Sequence, residues 1–411
     1  MRIRVIFLLV LLCVMSSLGS AADLALVGAK IYTAPLEPSI ENGSIVLHDG
    51  KIAAVGPSKA VKIPRHADVI DCKGLFVTAG FWNSHVHILP PQLLHAENSS
   101  AEQIDLQLQE MFTKWGFTTV FDLASVLQNT TLIRRRIESG DVQGPRIFTV
   151  GEPFWGKGGT PFYIKAYLEQ NHIHMPEVES IPEAKQRVRQ QIADGADGIK
   201  IFANSVERNS TLTMPLELAQ AIVSEAHAAH KLVFAHVAND DGIEVALKSG
   251  VDILAHTTPN GSPWSSSLVR QMTSTHMALT PTLTLWDEEL KGHAAPDDAQ
   301  QWKRKAGNQL QTFWQAGGQV LFGTDIGYIQ HYDTTEEFTL MSRAGMNFPK
   351  ILAALTTNPA QRFGYSKHSG RIAKRMDADL VVLNRDPERD ITALADVRYT
   401  IRAGKIIYSK K

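Results

Sequence analysis

The sequence predicts an α/β protein, a (β/α)8 TIM barrel joined to a small composite β-sandwich domain built from both termini. Through the middle of the chain, eight strand-like stretches alternate with amphipathic helical segments, a pattern that favours a barrel over an open doubly wound sheet. Both ends of the chain consist of short strands and turns, so we expect them to meet in one small sheet domain. The length of 411 residues fits one barrel with a smaller partner domain.

The chain begins with a segment that is typical of an export signal. Arg2 and Arg4 form a basic start, residues 5–14 an apolar stretch, and residues 20–22 a small-residue cleavage site. A membrane anchor is the alternative, but the apolar stretch is short for a spanning helix. We therefore expect residues 1–22 to be a signal peptide, the mature protein to be periplasmic or secreted, and no membrane association after cleavage.

Charge and cysteine content narrow the range of functions. The formal net charge is −1, with 44% hydrophobic and 20% charged residues, which is typical of a soluble globular protein. We expect no nucleic-acid partner, because no basic face stands out. The chain holds Cys13 and Cys72, and removal of the leader leaves Cys72 alone, so the mature chain would form no internal disulfide.

The expected elements follow in order along the chain. We place the sheet domain at residues 23–79 and 366–411 and the barrel at residues 80–365. Strand-like stretches of the sheet domain lie at 24–26, 44–47, 51–55, 69–71, 378–383, 397–402 and 405–408. Those of the barrel lie at 81–85, 117–122, 146–150, 198–202, 232–236, 251–256, 278–281 and 320–324. Apolar residues at helical spacing mark segments between the barrel strands, such as 102–115, and no glycine-rich dinucleotide-binding motif follows a strand.

Polar residues stand at the ends of the predicted barrel strands. His85 and His87 close the first strand, and because residues two apart in a strand share a face, their imidazoles could chelate one metal ion such as Zn²⁺. Taken alone, this pair could equally be a coincidence. The other strand ends add Lys200, His236, His256 and Asp325. Reactive groups of barrels collect at these ends, and burying so many polar groups is costly unless something pairs them, so the set predicts a metal site.

Lys200 needs a separate explanation, because an ammonium group has no lone pair and cannot bind a cation. Burial beside metals would lower the pKa of this lysine and make its amine nucleophilic. The neutral amine could then take up CO₂, and the resulting carbamate is an anionic oxygen ligand that can bridge two metals. The alternative is a salt bridge from Lys200 to Asp197 or to another nearby carboxylate.

These residues carry a resemblance to a known family. The order H-x-H, Lys, His, His, Asp is similar to that of the amidohydrolase superfamily, and the local sequences resemble its imidazolonepropionase-related binuclear branch, which includes Xaa-Pro and other dipeptidases. The matching stretches are residues 77–87, 195–201, 323–325, 355–360 and 370–383. Each motif is modest alone, but all of them in order are highly specific and cover essentially the whole mature chain.

The resemblance implies a cofactor set and a mechanism. Two divalent metal ions are expected, with Zn²⁺ as the first choice, although imidazole and carboxylate ligands also suit Mn²⁺, Co²⁺ and Fe²⁺. His85, His87 and Asp325 would hold the more buried metal, and His236 and His256 the more exposed one. Carbamylated Lys200 and a hydroxide would bridge the metals, and Asp325 would shuttle the proton from the hydroxide to the leaving group.

The resemblance also implies a small-molecule substrate with a C–N bond, in an amide, a cyclic amide or a dipeptide-like compound. Two alternatives stay open: a lactonase or phosphotriesterase-like hydrolase with the same centre, and a non-catalytic metal-binding barrel. The candidates for substrate binding are Lys157, Tyr163, Arg208, Tyr328 and His331, all on loops that follow barrel strands. The sequence does not fix the oligomeric state, and a homo-oligomer is compatible with it.

Two positions depart from the pattern of the relatives. Many of them carry a histidine in the glycine-rich loop after the third barrel strand, and this chain has none in residues 156–163. Asn83 replaces an aspartate that is often found two residues before the first histidine. The second departure puts a supporting contact of the metal ligands in question but not the ligands themselves.

Overall fold

The computed structural model describes residues 23–207, 210–290 and 296–410, so the predicted signal peptide lies outside the described residues. The strands are β1 (Leu24–Ile31), β2 (Ile40–His48), β3 (Lys51–Pro57), β4 (Asp68–Asp71), β5 (Phe76–Ala79), β6 (Phe81–Val86), β7 (Phe117–Asp122), β8 (Arg146–Thr149), β9 (Gly198–Phe202), β10 (Asn204–Val206), β11 (Thr211–Thr213), β12 (Leu232–His236), β13 (Ile253–Leu254), β14 (Ala278–Leu279), β15 (Gln319–Val320), β16 (Leu380–Leu383), β17 (Val397–Arg402) and β18 (Lys405–Ser409).

The helices lie mainly between the strands of the middle region. They are α1 (Ala101–Met111), α2 (Leu127–Glu138), α3 (Phe162–Gln170), α4 (Ile181–Ala193), α5 (Leu216–Ala228), α6 (Asp240–Ser249), α7 (Ser266–Ser274), α8 (Leu285–Leu290), α9 (Pro296–Gln315), α10 (Thr335–Arg343), α11 (Phe348–Leu355) and α12 (Thr357–Arg362). Within the described part of the chain, no helix is both long and apolar enough to cross a membrane.

Eight parallel strands form the barrel, and they occur as two sheets that join along both edges. One sheet has the order β6-β7-β8 and the other β15-β14-β13-β12-β9. At the first junction, the N–H of Phe154 donates to the carbonyl of Lys200 at 2.8 Å, and the N–H of Phe202 donates to Phe154 at 3.0 Å. At the second, the N–H of Ser84 donates to Phe322 at 2.7 Å. The barrel of the predicted fold class is therefore present.

Large apolar side chains fill the barrel interior and leave the polar residues at one end. The Trp82 ring lies 5.7 Å from both Phe148 and Phe363, and the Phe121 ring lies 4.9 Å from Phe234 and from Phe363. These rings are largely or fully withdrawn from water, which is the main stabilising contribution in a core of this kind. Because the interior is packed, a ligand can reach the polar residues only from the end of the barrel at which they lie.

The two ends of the chain share one sheet of eight strands. Its order is β18-β17-β16-β5-β1-β2-β3, with β4 paired to β1, and the register of β5 and β16 places Ala79 opposite Leu380. Arg146 of the barrel strand β8 binds Asp377 at 3.0 Å and Asp379 at 3.2 Å, just before β16. Since β5 runs directly into β6, this sheet anchors the strand that carries His85.

The observed elements differ from the expected ones in several places, and two of the differences lie in the barrel domain. Strands β13, β14 and β15 are shorter than expected, with two residues each. Beyond these residues the backbone still runs beside the neighbouring strand, as the 2.9 Å hydrogen bond from the N–H of Thr280 to the carbonyl of Leu254 shows. The hairpin formed by β10 and β11 was not expected from the sequence. It follows β9 and lies in the loop region that begins at the barrel end.

Candidate metal centre

His85, His87 and Asp325 form a compact cluster, which we call the carboxylate cluster. Strand β6 carries His85 and ends just before His87, and Asp325 follows β15 at the neighbouring edge. Oδ1 of Asp325 lies 2.7 Å from Nε2 of His87 and 3.1 Å from Nε2 of His85. One ligand atom from each residue lies within 4.8 Å of the others, a spacing at which a single ion can bind all three.

The local sequence explains why these side chains converge. Asp325 has a left-handed backbone with φ 66°, a conformation that aspartate adopts more readily than most residues other than glycine. Gly323 is required nearby, because a Cβ there would lie 2.8 Å from Cβ of His85. Nδ2 of Asn83 donates to Oγ1 of Thr324 at 2.7 Å, so Asn83 ties β6 to the segment that carries Asp325.

Backbone carbonyls orient both imidazoles of the carboxylate cluster. Nδ1 of His85 lies 2.9 Å from the carbonyl of Ala255, and Nδ1 of His87 lies 3.1 Å from the carbonyl of Ala124. A carbonyl only accepts, so each Nδ1 donates, and each Nε2 is turned toward Asp325 and the cavity. Nε2 is therefore the nitrogen that each ring would offer to a metal, which is the arrangement that outer contacts give to ligating histidines in general.

His236 and His256 form a second group, which we call the imidazole pair. Their ring centroids are 4.9 Å apart, and the His256 ring is 4.7 Å from that of His85. Nδ1 of His256 lies 2.8 Å from Oγ1 of Thr282, and the His236 ring stacks on Phe202 at 4.4 Å. Among the described residues, no carboxylate forms an ion-pair contact with this pair of the kind that Asp325 forms with His85 and His87.

Burial controls the charge states of these groups. It lowers the pKa of His85 to about 4 and that of His236 to about 3, and it lowers the pKa of His256 well below the ordinary value. Burial raises the pKa of Asp325, but His85 and His87 outweigh it and hold that pKa well below the usual range. At neutral pH His85, His236 and His256 are thus neutral and Asp325 is ionised, which are the protonation states that a metal requires.

Lys200 lies in the same cavity with 1% of its surface exposed. Burial lowers the pKa of its ammonium to about 7, so a large fraction of this lysine is the neutral amine at physiological pH. The alternative partner Asp197 binds Arg134 instead, at 2.7 Å. No ion pair of Lys200 is found among the described residues.

Unpartnered buried atoms show that these residues fit a divalent metal. Among the described residues, Nε2 of His85, Nε2 of His236 and Oδ1 of Asp325 are fully buried and accept or donate no hydrogen bond. Leaving such atoms unsatisfied costs about 1–3 kcal/mol each, which a shared ligand would remove. Imidazole nitrogens and a carboxylate oxygen are donors that suit Zn²⁺ and several other first-row ions.

The cavity above the site is narrow and has mostly apolar walls. Its volume is about 60 Å³. Tyr328 donates to Oε1 of Glu289 at 2.6 Å, and the Tyr163 ring lies 5.5 Å from that of Tyr328, so two phenols and a carboxylate form a polar patch opposite the metal ligands. The apolar lining consists of Leu89, Ala124, Trp155, Pro161, Ile164, Leu168, Met175, Phe202 and Leu285.

The predicted substrate-binding residues are only partly brought together. Tyr163 and Tyr328 line the cavity. The side chain of Lys157 is 73% exposed, binds Glu179 at 3.1 Å and lies outside the cavity lining, and His331 is exposed and also outside it. Arg208 lies outside the described residues.

Two acidic residues of the region were not expected from the sequence. Asp122 ends β7 and is fully buried, where it accepts bonds from Ile88 N–H at 3.1 Å and from Oγ1 of Thr149 at 2.7 Å. Its position at the end of the second barrel strand follows the same rule that identified the other site residues. Glu289, on the helix after the seventh strand, has no comparable signal in the sequence.

Comparison with known proteins gives consistent matches over most of the chain. The sequence profile of the amidohydrolase family matches residues 76–407. Ochratoxinase of Aspergillus niger is 22% identical over 92% of this chain and 86% of its own length. L-hydantoinase of Paenarthrobacter aurescens is 20% identical over 86% of this chain and 84% of its own length. The crystal structure of a Xaa-Pro dipeptidase with bound methionine superposes with a TM-score of 0.79 at 23% identity, over 95% of this chain and 100% of that one.

Proposed function

Because the chain belongs to the amidohydrolase family, we propose that it hydrolyses a C–N bond of a small molecule with the help of two divalent metal ions. The family and the names of its relatives make it a hydrolase of C–N bonds at the general level. The finer statements concern the number of metals, their ligands and the type of substrate. The observation that carries them is the convergence of four imidazoles, Asp325 and Lys200 on one cavity, with Nε2 atoms that lack a partner.

We assign the two groups of ligands to two metals. His85, His87 and Asp325 would hold the first, since their ligand atoms already lie within 4.8 Å of one another. The imidazole pair would hold the second. Lys200, as a carbamate formed from CO₂, would supply an anionic ligand to both, and its amine, whose pKa is about 7, can provide the neutral form that this reaction needs.

The residues around the cavity have separate roles in the proposed reaction. Bound divalent metals would supply Lewis acidity, which lowers the pKa of water and polarises the substrate carbonyl. Asp325 is ionised at neutral pH, so its carboxylate can accept the proton of the attacking water. Its low basicity then favours passing that proton to the leaving nitrogen. The phenol of Tyr163 remains protonated, because burial raises its pKa, and can donate to a polar substrate group, whereas the O–H of Tyr328 is donated to Glu289.

The cavity indicates the kind of substrate. Side chains such as Trp155, Leu168 and Met175 form an apolar wall, which favours an apolar group next to the scissile bond. Tyr163, in the first turn of α3, lies in the wall of this cavity. The relatives named ochratoxinase, L-hydantoinase and Xaa-Pro dipeptidase support an amide, cyclic amide or dipeptide-like bond.

A substrate panel tests this function directly. Protein loaded with Zn²⁺, and separately with Mn²⁺ or Co²⁺, is assayed against dipeptides, N-acyl amino acids, hydantoins, lactones and phosphotriesters. We expect turnover of at least one C–N substrate, with faster rates for those that carry an apolar side chain. Turnover of esters alone would establish the lactonase or phosphotriesterase alternative. Inactivity of fully metal-loaded protein on every class would favour a metal-binding barrel without catalysis.

We also propose that the protein acts outside the cytoplasm. The support is the basic, apolar and small-residue order of residues 1–22, together with a mature chain that retains Cys72 alone. Expression of the full chain in a Gram-negative host should yield mature protein in the periplasm, with an N-terminus at or near Asp23 by Edman sequencing or mass spectrometry. Recovery of the uncleaved chain from the cytoplasm would contradict this proposal.

A further inference from the structure

Glu337 is a buried acid that the proposed chemistry does not use. It lies in the first turn of α10 with 0% of its surface exposed, and among the described residues it forms no ion pair. A carboxylate without a counter-ion is costly to bury, and an apolar residue of similar size would fill the same space at lower cost. Burial accordingly raises the pKa of Glu337 to about 7. The burial of this acid is explained if its carboxylate holds a neighbouring segment in position.

The partners of Glu337 all belong to one short loop. Its Oε1 accepts from the N–H of Leu283 at 2.9 Å, and its Oε2 accepts from the N–H and the hydroxyl of Thr284 at 2.8 and 2.9 Å. Both carboxylate oxygens are thus occupied by the segment that joins β14 to α8. The helix α10 holds this segment through the carboxylate as a clamp.

The clamped residues directly follow a strained position. Thr282 has a left-handed backbone with φ 44°, which is a true outlier for a β-branched residue and persists only when its surroundings enforce it. The hydroxyl of Thr282 lies 2.8 Å from Nδ1 of His256. Thr282 therefore selects which nitrogen of His256 faces the cavity, and Glu337 holds Thr282 where it can do so.

A second contact from the same segment reaches the same histidine. Nε1 of Trp286 donates to Oγ1 of Thr257 at 2.9 Å, and the Trp286 ring packs edge-on against the His256 ring at 6.4 Å. The hydrogen bond of His256 and one of its ring contacts thus come from residues in or directly after the clamped loop, and its other ring contacts are with His85 and His236. Among the described residues, Glu289 and Leu285 of the cavity wall also follow this loop.

We propose that Glu337 is a positioning residue for the second metal: it clamps the Thr282 turn, which orients His256. The inference rests on the proposed two-metal function, in which His256 belongs to the imidazole pair. It makes a specific distinction, because among the described residues the imidazoles of the carboxylate cluster are hydrogen-bonded to the backbone carbonyls of Ala255 and Ala124 and not to the clamped loop. Loss of the clamp should therefore weaken one metal and leave the other in place.

The main test compares Glu337→Gln with Glu336→Gln. The amide in E337Q retains the shape but offers one acceptor oxygen, and its NH₂ group would face an N–H donor of the loop. Glu336 is next in the same helix, its side chain is 48% exposed and it only approaches Lys303 at 3.6 Å, so E336Q is a matched control. After loading with Zn²⁺ and dialysis, we expect two metals in wild type and E336Q and about one in E337Q. The second dissociation constant should rise about 10–100-fold, the usual effect of an outer contact.

A second variant tests the route through Thr282. Thr282→Val keeps the β-branched shape and the backbone cost and removes only the hydroxyl, so it also covers the case in which E337Q fails to fold. T282V should lose the second metal to a similar extent. Because both changes act on His256, the double variant should lose little more than either single one, whereas independent effects would add.

The outcomes separate this inference from the proposed function. A folded E337Q or T282V that binds the second metal with wild-type affinity overturns the clamp while the function stands. Equal weakening of both metals in E337Q also overturns it, because the effect would then be general destabilisation. Wild-type protein that binds no metal counts against the proposed function, and the clamp falls with it.

Discussion

The carboxylate cluster and the imidazole pair lie in one cavity but are built in different ways. In the cluster, Asp325 contacts both His85 and His87 within 3.1 Å, and main-chain carbonyls orient the two rings. In the pair, His236 and His256 come from separate strands and are supported by side chains, namely Phe202 and Thr282. The first group is preorganised before any metal binds, whereas the second depends on contacts that single substitutions can remove.

This difference predicts unequal metal affinities. A site whose ligands are already close and correctly protonated loses little conformational freedom on binding, so its affinity is high. The imidazole pair has no carboxylate of its own among the described residues, and in the proposed centre the carbamate of Lys200 would supply its anionic ligand. Lys200 would therefore connect the two groups of ligands, and the second metal should bind more weakly and be lost first during dialysis against a chelator.

The largest effect should come from Asp325→Asn, because the proposed function gives Asp325 two roles, as a metal ligand and as a proton acceptor. We expect kcat to fall about 10²–10⁴-fold, the usual contribution of a general acid–base group, and the tighter metal to weaken as well. Steady-state kinetics and metal analysis measure the two losses. Asp298→Asn, at an exposed position of α9, is the control and should behave as wild type. If D325N kept its full rate, the role assigned to Asp325 would be wrong.

A smaller effect on the cluster should follow Gly323→Ala. The added Cβ would lie 2.8 Å from Cβ of His85 and 3.1 Å from Cβ of Thr280, so His85 must shift. Overpacking of this kind costs about 1–3 kcal/mol, and the first metal should weaken more than the second. Gly307→Ala is the matched control, since nothing lies within 4 Å of its Cβ and alanine favours a helix interior. Urea unfolding and metal titration of both variants decide the matter; equal stability of G323A and G307A would contradict the account.

The pH dependence of stability tests the buried state of Glu337, the residue that supports the imidazole pair. Burial raises the pKa of Glu337 to about 7 from 4.5, the bonds from Leu283 and Thr284 oppose this, and Glu336 raises the pKa further. Between these two values the folded state binds more proton than the unfolded state, so the contribution of Glu337 to stability falls as pH rises through this window. E337Q does not titrate. Metal-free wild type should therefore lose stability relative to E337Q as pH rises across the window; a constant difference would show that burial does not shift this pKa.

The smallest effect should come from Lys157→Ala. The side chain is exposed and pairs only with Glu179 among the described residues, and exposed pairs of this kind contribute about 0–1 kcal/mol. We expect kcat/KM to stay within about twofold of wild type, as for ordinary surface substitutions. Tyr163→Phe, in the first turn of α3, should lower kcat/KM more, because Tyr163 lines the cavity. A larger loss in K157A than in Y163F would restore Lys157 as a substrate-binding residue.

The sequence predicted the barrel and the polar residues at its strand ends because both follow from local patterns. A strand of apolar residues that ends in His or Asp is visible in the sequence, and the barrel brings such ends together. Confirmation extends to the fold class and the family, whereas the individual ligand roles remain predictions. Asp122 obeys the same rule but was missed, since an acid at the end of a strand is less distinctive than a histidine.

Features that depend on distant contacts could not be predicted. Glu337 accepts a hydrogen bond from Leu283, which lies 54 residues earlier in the sequence, and neither segment has a local pattern that predicts this contact. In the loop after β8, Glu177 accepts from the N–H groups of Gly158 and Thr160, at 2.6 and 3.0 Å. The two residues held in this way lie between Lys157, which is exposed, and Tyr163, which lines the cavity. The sequence contains both residues as candidates and holds no local signal to choose between them.

Counting the metals bound to wild type and to Lys200→Ala tests the central claim, that Lys200 joins two unequal groups of ligands into one centre. After loading with Zn²⁺ and gel filtration, inductively coupled plasma mass spectrometry should find two ions per chain in wild type. The variant should hold about one, retained by His85, His87 and Asp325, and should lose most of its activity. Two ions and an unchanged rate in K200A would contradict the account.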